Sequence, residues 1–198
     1  MEFHRPGRSA DIDGWPKPAR IVIFVGDGEC MMRKTYGGMI AFLVLIAVAE
    51  GAKEWTTTSV EEMELAWAVE DGELLLRVSA PTAGWVAVGF EPSRAMADAN
   101  ILIGFVDGSD VTVEDHFGNG MFSHREDLSL GGTADVTVIA GTESDGRTEL
   151  EFSIPLDSGD EFDRVLEEGR LTKVILAWGS NDNVGRKHRM RHSTEITL

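Results

Sequence analysis

Three Asp-Gly pairs, Asp71-Gly72, Asp107-Gly108 and Asp145-Gly146, each fall between two runs rich in apolar and β-branched residues. Asp-Gly accepts the left-handed backbone that a tight antiparallel connection demands, and the first and last pairs sit as hairpin turns would. Pro81 to Gly84 and Gly131-Gly132 add further breaks. The runs between these breaks predict strands at Glu64–Val69, Glu73–Ser79, Trp85–Phe90, Asn100–Val106, Val111–His116, Ala134–Ala140, Thr148–Ile154, Lys173–Trp178 and Ser193–Leu198. Many short strands at regular spacing make the chain all-β, a sandwich or a closed barrel. Asp157–Arg170, DSGDEFDRVLEEGR, breaks the pattern. It predicts one short helix opened by Asp160, with Phe162, Val165 and Leu166 on its inner face.

The N-terminal quarter reads differently. Arg33 and Lys34 precede an unbroken apolar run from Met39 to Ala49, and Ala47-Val48-Ala49 offers small residues for cleavage. Those eleven residues fall short of the ~20 that span a bilayer. Residues 32–51 are therefore expected to be a signal peptide or an uncleaved N-terminal anchor, with a buried core helix as the alternative. Export to the periplasm or the extracellular space follows. Residues 1–31 precede that signal and carry Pro6, Pro16 and Pro18. They are expected to be a disordered leader, or translated from a start upstream of the true one at Met31 or Met32. Residues 52–198 form the expected folded domain.

Charge narrows the partners. Residues 1–51 hold six acidic and six basic side chains, so the remaining 28 acidic and 12 basic residues carry the whole net charge of −16. Nucleic acid is excluded as a partner, because phosphate binding needs clustered cations, and membrane contact is left to the uncleaved signal segment alone. A redox or cationic partner steered by charge fits better. The basic run Arg186-Lys187-His188-Arg189-Met190-Arg191 stands out against this background, either as a solvated loop or as an edge that binds propionates or a partner. Cys30 is the single cysteine and lies before the signal. The domain is thus expected to lack disulfides, iron–sulfur clusters, blue-copper and thiolate zinc sites, and covalent haem attachment.

Candidate ligands stand at both ends of the domain. In the last strand Ile196 and Leu198 share parity with Thr194, His192, Met190 and His188, which places both histidines toward the apolar side if the strand runs back without a bulge. Satisfied core or rim histidines are the plainer reading. Met96 lies in a loop between GWVAVGF and NILIGFVDG, beside Ala95, Ala97 and Ala99, small residues that would let a flat macrocycle approach. A methionine is more often a gap-filler. As a soft thioether opposite an imidazole, however, it suits haem iron and leaves no position open for substrate, which makes the chemistry electron transfer.

GWVAVGF, MADANILIGFV, VEDHFGNG, LGGTADVTVIAGTESDGRTELEFSIPLDSGD and VILAWGSNDN…KH…ITL, in this order from about Trp55 to Leu198, resemble a DOMON domain of the compact prokaryotic kind. The resemblance implies an immunoglobulin-like antiparallel β-sandwich, usually exported, with a pocket that in many members binds non-covalent haem b. It implies axial ligands at Met96 and His188, with His192 in reserve and Lys187 as a weaker candidate. Phe90, Phe105 and Phe117 are expected pocket walls, and Arg186 a partner of the propionates. His116 and His124 are expected hydrogen-bonding or rim residues.

Two functions compete. One is an exported b-type cytochrome domain exchanging single electrons with an unidentified partner, membrane-bound or extracellular. The other is a small-ligand or carbohydrate-binding module without haem, with Trp67, Trp85 or Trp178 stacking on sugar faces. An enzyme is not expected, because no nucleophile–base arrangement stands out and Glu61-Glu62 and Glu167-Glu168 read as solvated acids.

Overall fold

Met63, Leu65 and Trp67 alternate with more exposed neighbours, and so do Leu74, Leu76 and Val78, the period-two pattern of half-buried strands. The computed structural model describes residues 53–198; the expected leader (1–31) and signal segment (32–51) lie outside the described residues. The strands are β1 (Thr56–Val60), β2 (Met63–Glu70), β3 (Glu73–Ala80), β4 (Val86–Phe90), β5 (Asn100–Asp107), β6 (Asp110–Gly120), β7 (Ser123–Glu126), β8 (Thr137–Ser144), β9 (Arg147–Pro155), β10 (Leu171–Trp178) and β11 (Met190–Thr197). A single turn of helix, α1 (Asp127–Leu130), follows β7.

Two antiparallel sheets form a sandwich, one ordered β1-β2-β3-β9-β8 and the other β11-β10-β4-β5-β6-β7. Their inner faces meet in a shared core that includes Leu65, Leu76, Val88, Phe90, Leu102, Phe152 and Leu176. The hairpin turns form where Asp-Gly predicts them. Asp71 and Gly72 have φ of 52° and 85°, and Asp145 and Gly146 have 52° and 74°, both residues left-handed as a two-residue hairpin requires.

The strands that escape sequence reading are edges. β1 (TTTSV) and β7 (SHRE) are short and polar and end their sheets, so neither carries an apolar face to betray it. β8, the edge opposite β1 in the five-stranded sheet, starts three residues later than expected and is bulged between Val138 and Ala140. The helix expected over Asp157–Arg170 does not form, and α1 is the helix among the described residues. Short polar side chains in that segment capture backbone instead. Phe162 N–H donates to Asp160 Oδ1 (2.8 Å), Gly159 N–H to Asp157 Oδ1 (3.1 Å), and Leu166 N–H reaches the Leu156 carbonyl (2.7 Å). Leu166 still enters the core, while Val165 stays exposed.

Candidate functional site

β4 is buried on both faces. Val86, Val88 and Phe90 point into the sandwich, which leaves Ala87 and Gly89 on the outer face of the six-stranded sheet. Register sets their neighbours there: Ala87 lies between Ile103 and Ala177, and Gly89 between Ile101 and Ile175. A sandwich's outer face is ordinarily solvated. Here Trp85, Ala87 and Ile103 instead form a second apolar cluster, and Ile101 is only 5% exposed. Small residues at 87 and 89 flanked by isoleucines give this face a low, flat floor.

Two loops rise over the floor and enclose an open cavity of about 1240 Å³. That exceeds the roughly 300–1,000 Å³ of an ordinary small-ligand pocket. Met96 lines it from the β4–β5 loop, and Arg186, Lys187, His188 and Arg189 line it from the β10–β11 loop. The remaining lining includes Trp85, Ile101, Ile103, Ile175, Phe122 and His124.

The Met96 loop is strained and tightly held. Glu91, Ala95 and Asp98 all have positive φ (49°, 55° and 64°), a conformation L-residues seldom adopt. Its anchor is β6. Asp98 N–H donates to the Gly118 carbonyl (2.7 Å), Gly118 N–H to the Ala99 carbonyl (2.8 Å), and Ala99 N–H to the Met96 carbonyl (3.1 Å). The Ser93 hydroxyl bonds the Asp98 carboxylate, and Arg164 Nε donates to the Asp98 carbonyl.

The opposite loop is shaped by Asn181 and Asn183. Their side-chain oxygens accept from Asn183 N–H (3.0 Å) and Gly185 N–H (3.1 Å), folding the chain into successive turns. Gly84 admits this loop against Trp85, since a Cβ there would fall 2.3 Å from the Asn181 nitrogen. Arg189 N–H closes onto the Trp178 carbonyl (2.8 Å), and its guanidinium covers the Trp178 ring at 5.5 Å.

The two candidate histidines separate in this frame. His188 lies in the loop, ahead of the first residue of β11, and lines the cavity. Burial, then the Arg191 and Lys187 charges, hold its pKa below the usual imidazole value, so the neutral ring that can coordinate a metal is favoured. His192 also borders the cavity, but it is registered opposite Leu176, a core residue, and so shares the inner parity of the sheet. Its Nε2 is enclosed without a partner. The apolar side of β11 marked by Ile196 is thus the sandwich core, and the cavity floor lies on the other face.

The expected phenylalanine walls are elsewhere. Phe90 is fully buried in the sandwich core, on the inner parity of β4. Phe105 packs beside the floor against the Trp85 cluster, and Phe117 meets Phe162 edge-to-face at 5.4 Å. Ile101, Ile103 and Ile175 supply the apolar floor instead, and Trp85 and Phe122 are the aromatic residues that line the cavity. The signal was present in NILIGFV, which is apolar on both parities and so predicts a strand covered on both faces. Phe122, 77% exposed at the cavity, had no such signal. His124 Nδ1 pairs with His116 Nδ1 (3.0 Å), and His116 Nε2 with Glu114 (2.8 Å). Burial, then His116, lowers the His124 pKa, with Glu114 opposing. Trp67, Trp85 and Trp178 are all buried, at 6%, 3% and 5% exposure.

The DOMON domain family model matches residues 59–179. DBH-like monooxygenase protein 1 of Homo sapiens and its Mus musculus counterpart are each 30% identical to the chain over 118 residues. That stretch is 60% of this chain but only 18% of either relative. Among solved structures, the cytochrome b domain of pyranose dehydrogenase from Coprinopsis cinerea superposes with a TM-score of 0.55 at 11% identity, covering 72% of this chain and 80% of that one. The cytochrome domain of Myriococcum thermophilum cellobiose dehydrogenase gives 0.56 at 11% identity, covering 73% and 82%.

Proposed function

Since the chain belongs to the DOMON domain family, we propose that it is an exported b-type cytochrome domain that exchanges single electrons with a redox partner. The observation that carries this reading is the apolar outer face of β4, β5 and β10, enclosed between a methionine loop and a histidine loop within one cavity. Haem, when bound, supplies the one-electron iron couple.

The residues fit that group. Met96 offers a soft thioether and His188 a neutral imidazole, two donors suited to haem iron and both on the cavity. Ala87 and Gly89 leave the floor low enough for a flat ring. Trp85 lines the cavity and adds a large apolar surface to its floor. Arg186, Lys187, Arg189 and Arg191 bring positive charge to the rim, where carboxylates such as propionates would be held. The apolar floor excludes water, and a methionine ligand favours the reduced iron.

Titrating the full chain with haem tests the reading. Saturation at one haem per chain, with a sharp Soret band and resolved α and β bands on reduction, is expected. A protein that stays colourless after reconstitution contradicts it.

A further inference from the structure

The register that builds the cavity floor carries one strand further. Across the outer face of the six-stranded sheet, Ile175 lies beside Gly89, Gly89 beside Ile101, and Ile101 beside His116 on β6. Glu114 stands in the neighbouring row, beside Ile103. The apolar floor therefore ends on a polar rail. His116 is only 6% exposed, yet both its ring nitrogens are engaged, Nε2 with Glu114 Oε2 (2.8 Å) and Nδ1 with His124 Nδ1 on β7 (3.0 Å). The two rings meet edge-to-face with centroids 4.9 Å apart. His124 in turn lines the cavity.

These contacts fix where the protons sit. An ionised Glu114 can only accept, so His116 Nε2 carries the hydrogen and its Nδ1 is left as an acceptor. His124 Nδ1 must then be the donor, which leaves His124 Nε2 as a bare lone pair with no partner among the described residues. A proton accepted at His124 Nε2 lets the Nδ1 proton pass to His116 Nδ1, and the positive charge comes to rest beside the Glu114 carboxylate. The surroundings favour that direction. Glu126, registered opposite His116, adds a second acid, β5 brings only Ile101 and Ile103, and Arg125 takes the other parity of β7. The cations of the cavity, Arg186, Lys187, Arg189 and Arg191, come with His188 from the β10–β11 side. Burial, then the second imidazole, hold the His124 pKa below the ordinary value against the pull of Glu114, so its ring is neutral near pH 7.

We propose that Glu114, His116 and His124 form a proton relay that couples the uptake of one electron in the cavity to the uptake of one proton. The inference rests on the electron-transfer reading above. The electron comes from a one-electron reductant and the proton from water, and both leave on reoxidation. Gly89, within the floor, is two strand spacings, about 10 Å, from His116. At that separation and an effective dielectric of about 20, one added negative charge raises proton affinity roughly tenfold.

Potentiometric titration of the haem-reconstituted full chain with dithionite, repeated between about pH 8 and about pH 5, reads the coupling. The potential is expected to rise by about 59 mV on acidification, the equivalent of a tenfold shift for one electron. His124→Gln should flatten that dependence. Glu114→Gln keeps an acceptor for His116 Nε2 but not the charge, so the rise should move to lower pH. In the haem-free chain, proton–nitrogen NMR is expected to show His116 as the Nε2–H tautomer and His124 as the Nδ1–H tautomer at about pH 8. A protein that stays colourless overturns the cytochrome reading and the coupling with it. A loaded wild type whose potential is flat with pH overturns the coupling alone, as does a dependence that survives His124→Gln. Should that variant fail to fold, a rise left in place by Glu114→Gln overturns it equally. Reversed tautomers in the haem-free chain overturn the relay whatever the cofactor.

Discussion

A Cβ on Gly118 would fall 1.6 Å from the Met96 carbonyl oxygen. Only glycine at 118 therefore lets β6 approach the β4–β5 loop closely enough for the paired hydrogen bonds between Gly118 and residues 98 and 99. The position of a candidate iron ligand is set by the absence of a side chain on another strand. Gly118→Ala must push the backbone of one segment away, since no flexible side chain is there to yield. A stability loss of about 1–3 kcal/mol is expected, as for other overpacking changes. Haem affinity should fall as well, because Met96 moves with the loop. Chemical denaturation and a haem titration read the two effects. Unchanged affinity in a folded Gly118→Ala protein would detach Met96 from the site.

The histidine pair makes stability depend on pH. His124 has a lowered pKa in the folded protein, so the unfolded chain binds more protons at mildly acid pH. Its contribution is fully present above the unfolded value of about 6.5 and is lost as pH falls through the folded one. Asp115 and Asp127 act in the opposite sense: raised to about 7, they bind protons more tightly in the folded state and favour it as pH falls. The difference between wild type and His124→Gln isolates the histidine. Denaturation at pH 7.5 and pH 5 should show wild type losing stability relative to the variant on acidification. A relative gain would mean that His124 is not held in its neutral form.

Carbohydrate makes a separate demand. Stacking on a sugar needs an exposed ring, yet Trp67, Trp85 and Trp178 are buried and Trp178 is also covered by Arg189. Oligosaccharide titration should leave tryptophan fluorescence unchanged, while haem, arriving beside Trp85, should quench it. A saturable change with a defined oligosaccharide in haem-free protein would favour the binding module.

Much of this architecture is legible in sequence for specific reasons. Asp71-Gly72 and Asp145-Gly146 mark hairpins because few other residue pairs adopt two left-handed conformations in succession. Leu74, Leu76 and Val78 mark a core face by alternation. Edge strands β1 and β7 lack that pattern, and the apolar spacing of Phe162, Val165 and Leu166 imitates a helix that the surrounding aspartates and glycines prevent. Met96 and His188 could be named from the sequence, and NILIGFV signalled a strand covered on both faces, but the expected phenylalanine walls were misplaced. Parity alone does not say which face of β4 is the core and which the cavity. The close approach of Asp115, Asp135 and Asp163 was invisible for a simpler reason: they are scattered along the chain, and only the topology gathers them.

Haem ligation by Met96 and His188 is the centre of the account, and the visible spectrum of four reconstituted proteins addresses it most directly. Wild type is expected to be six-coordinate and low-spin in both oxidation states. Met96→Ala should keep haem but turn high-spin when oxidised and lose potential, because the soft ligand favouring reduced iron is gone. His188→Ala should lose most of its haem, since nothing covalent retains it. His192→Ala, altered on the inner parity of β11, should match wild type. A wild-type spectrum from both Met96→Ala and His188→Ala, with loss of it in His192→Ala, would contradict the assignment of both ligands.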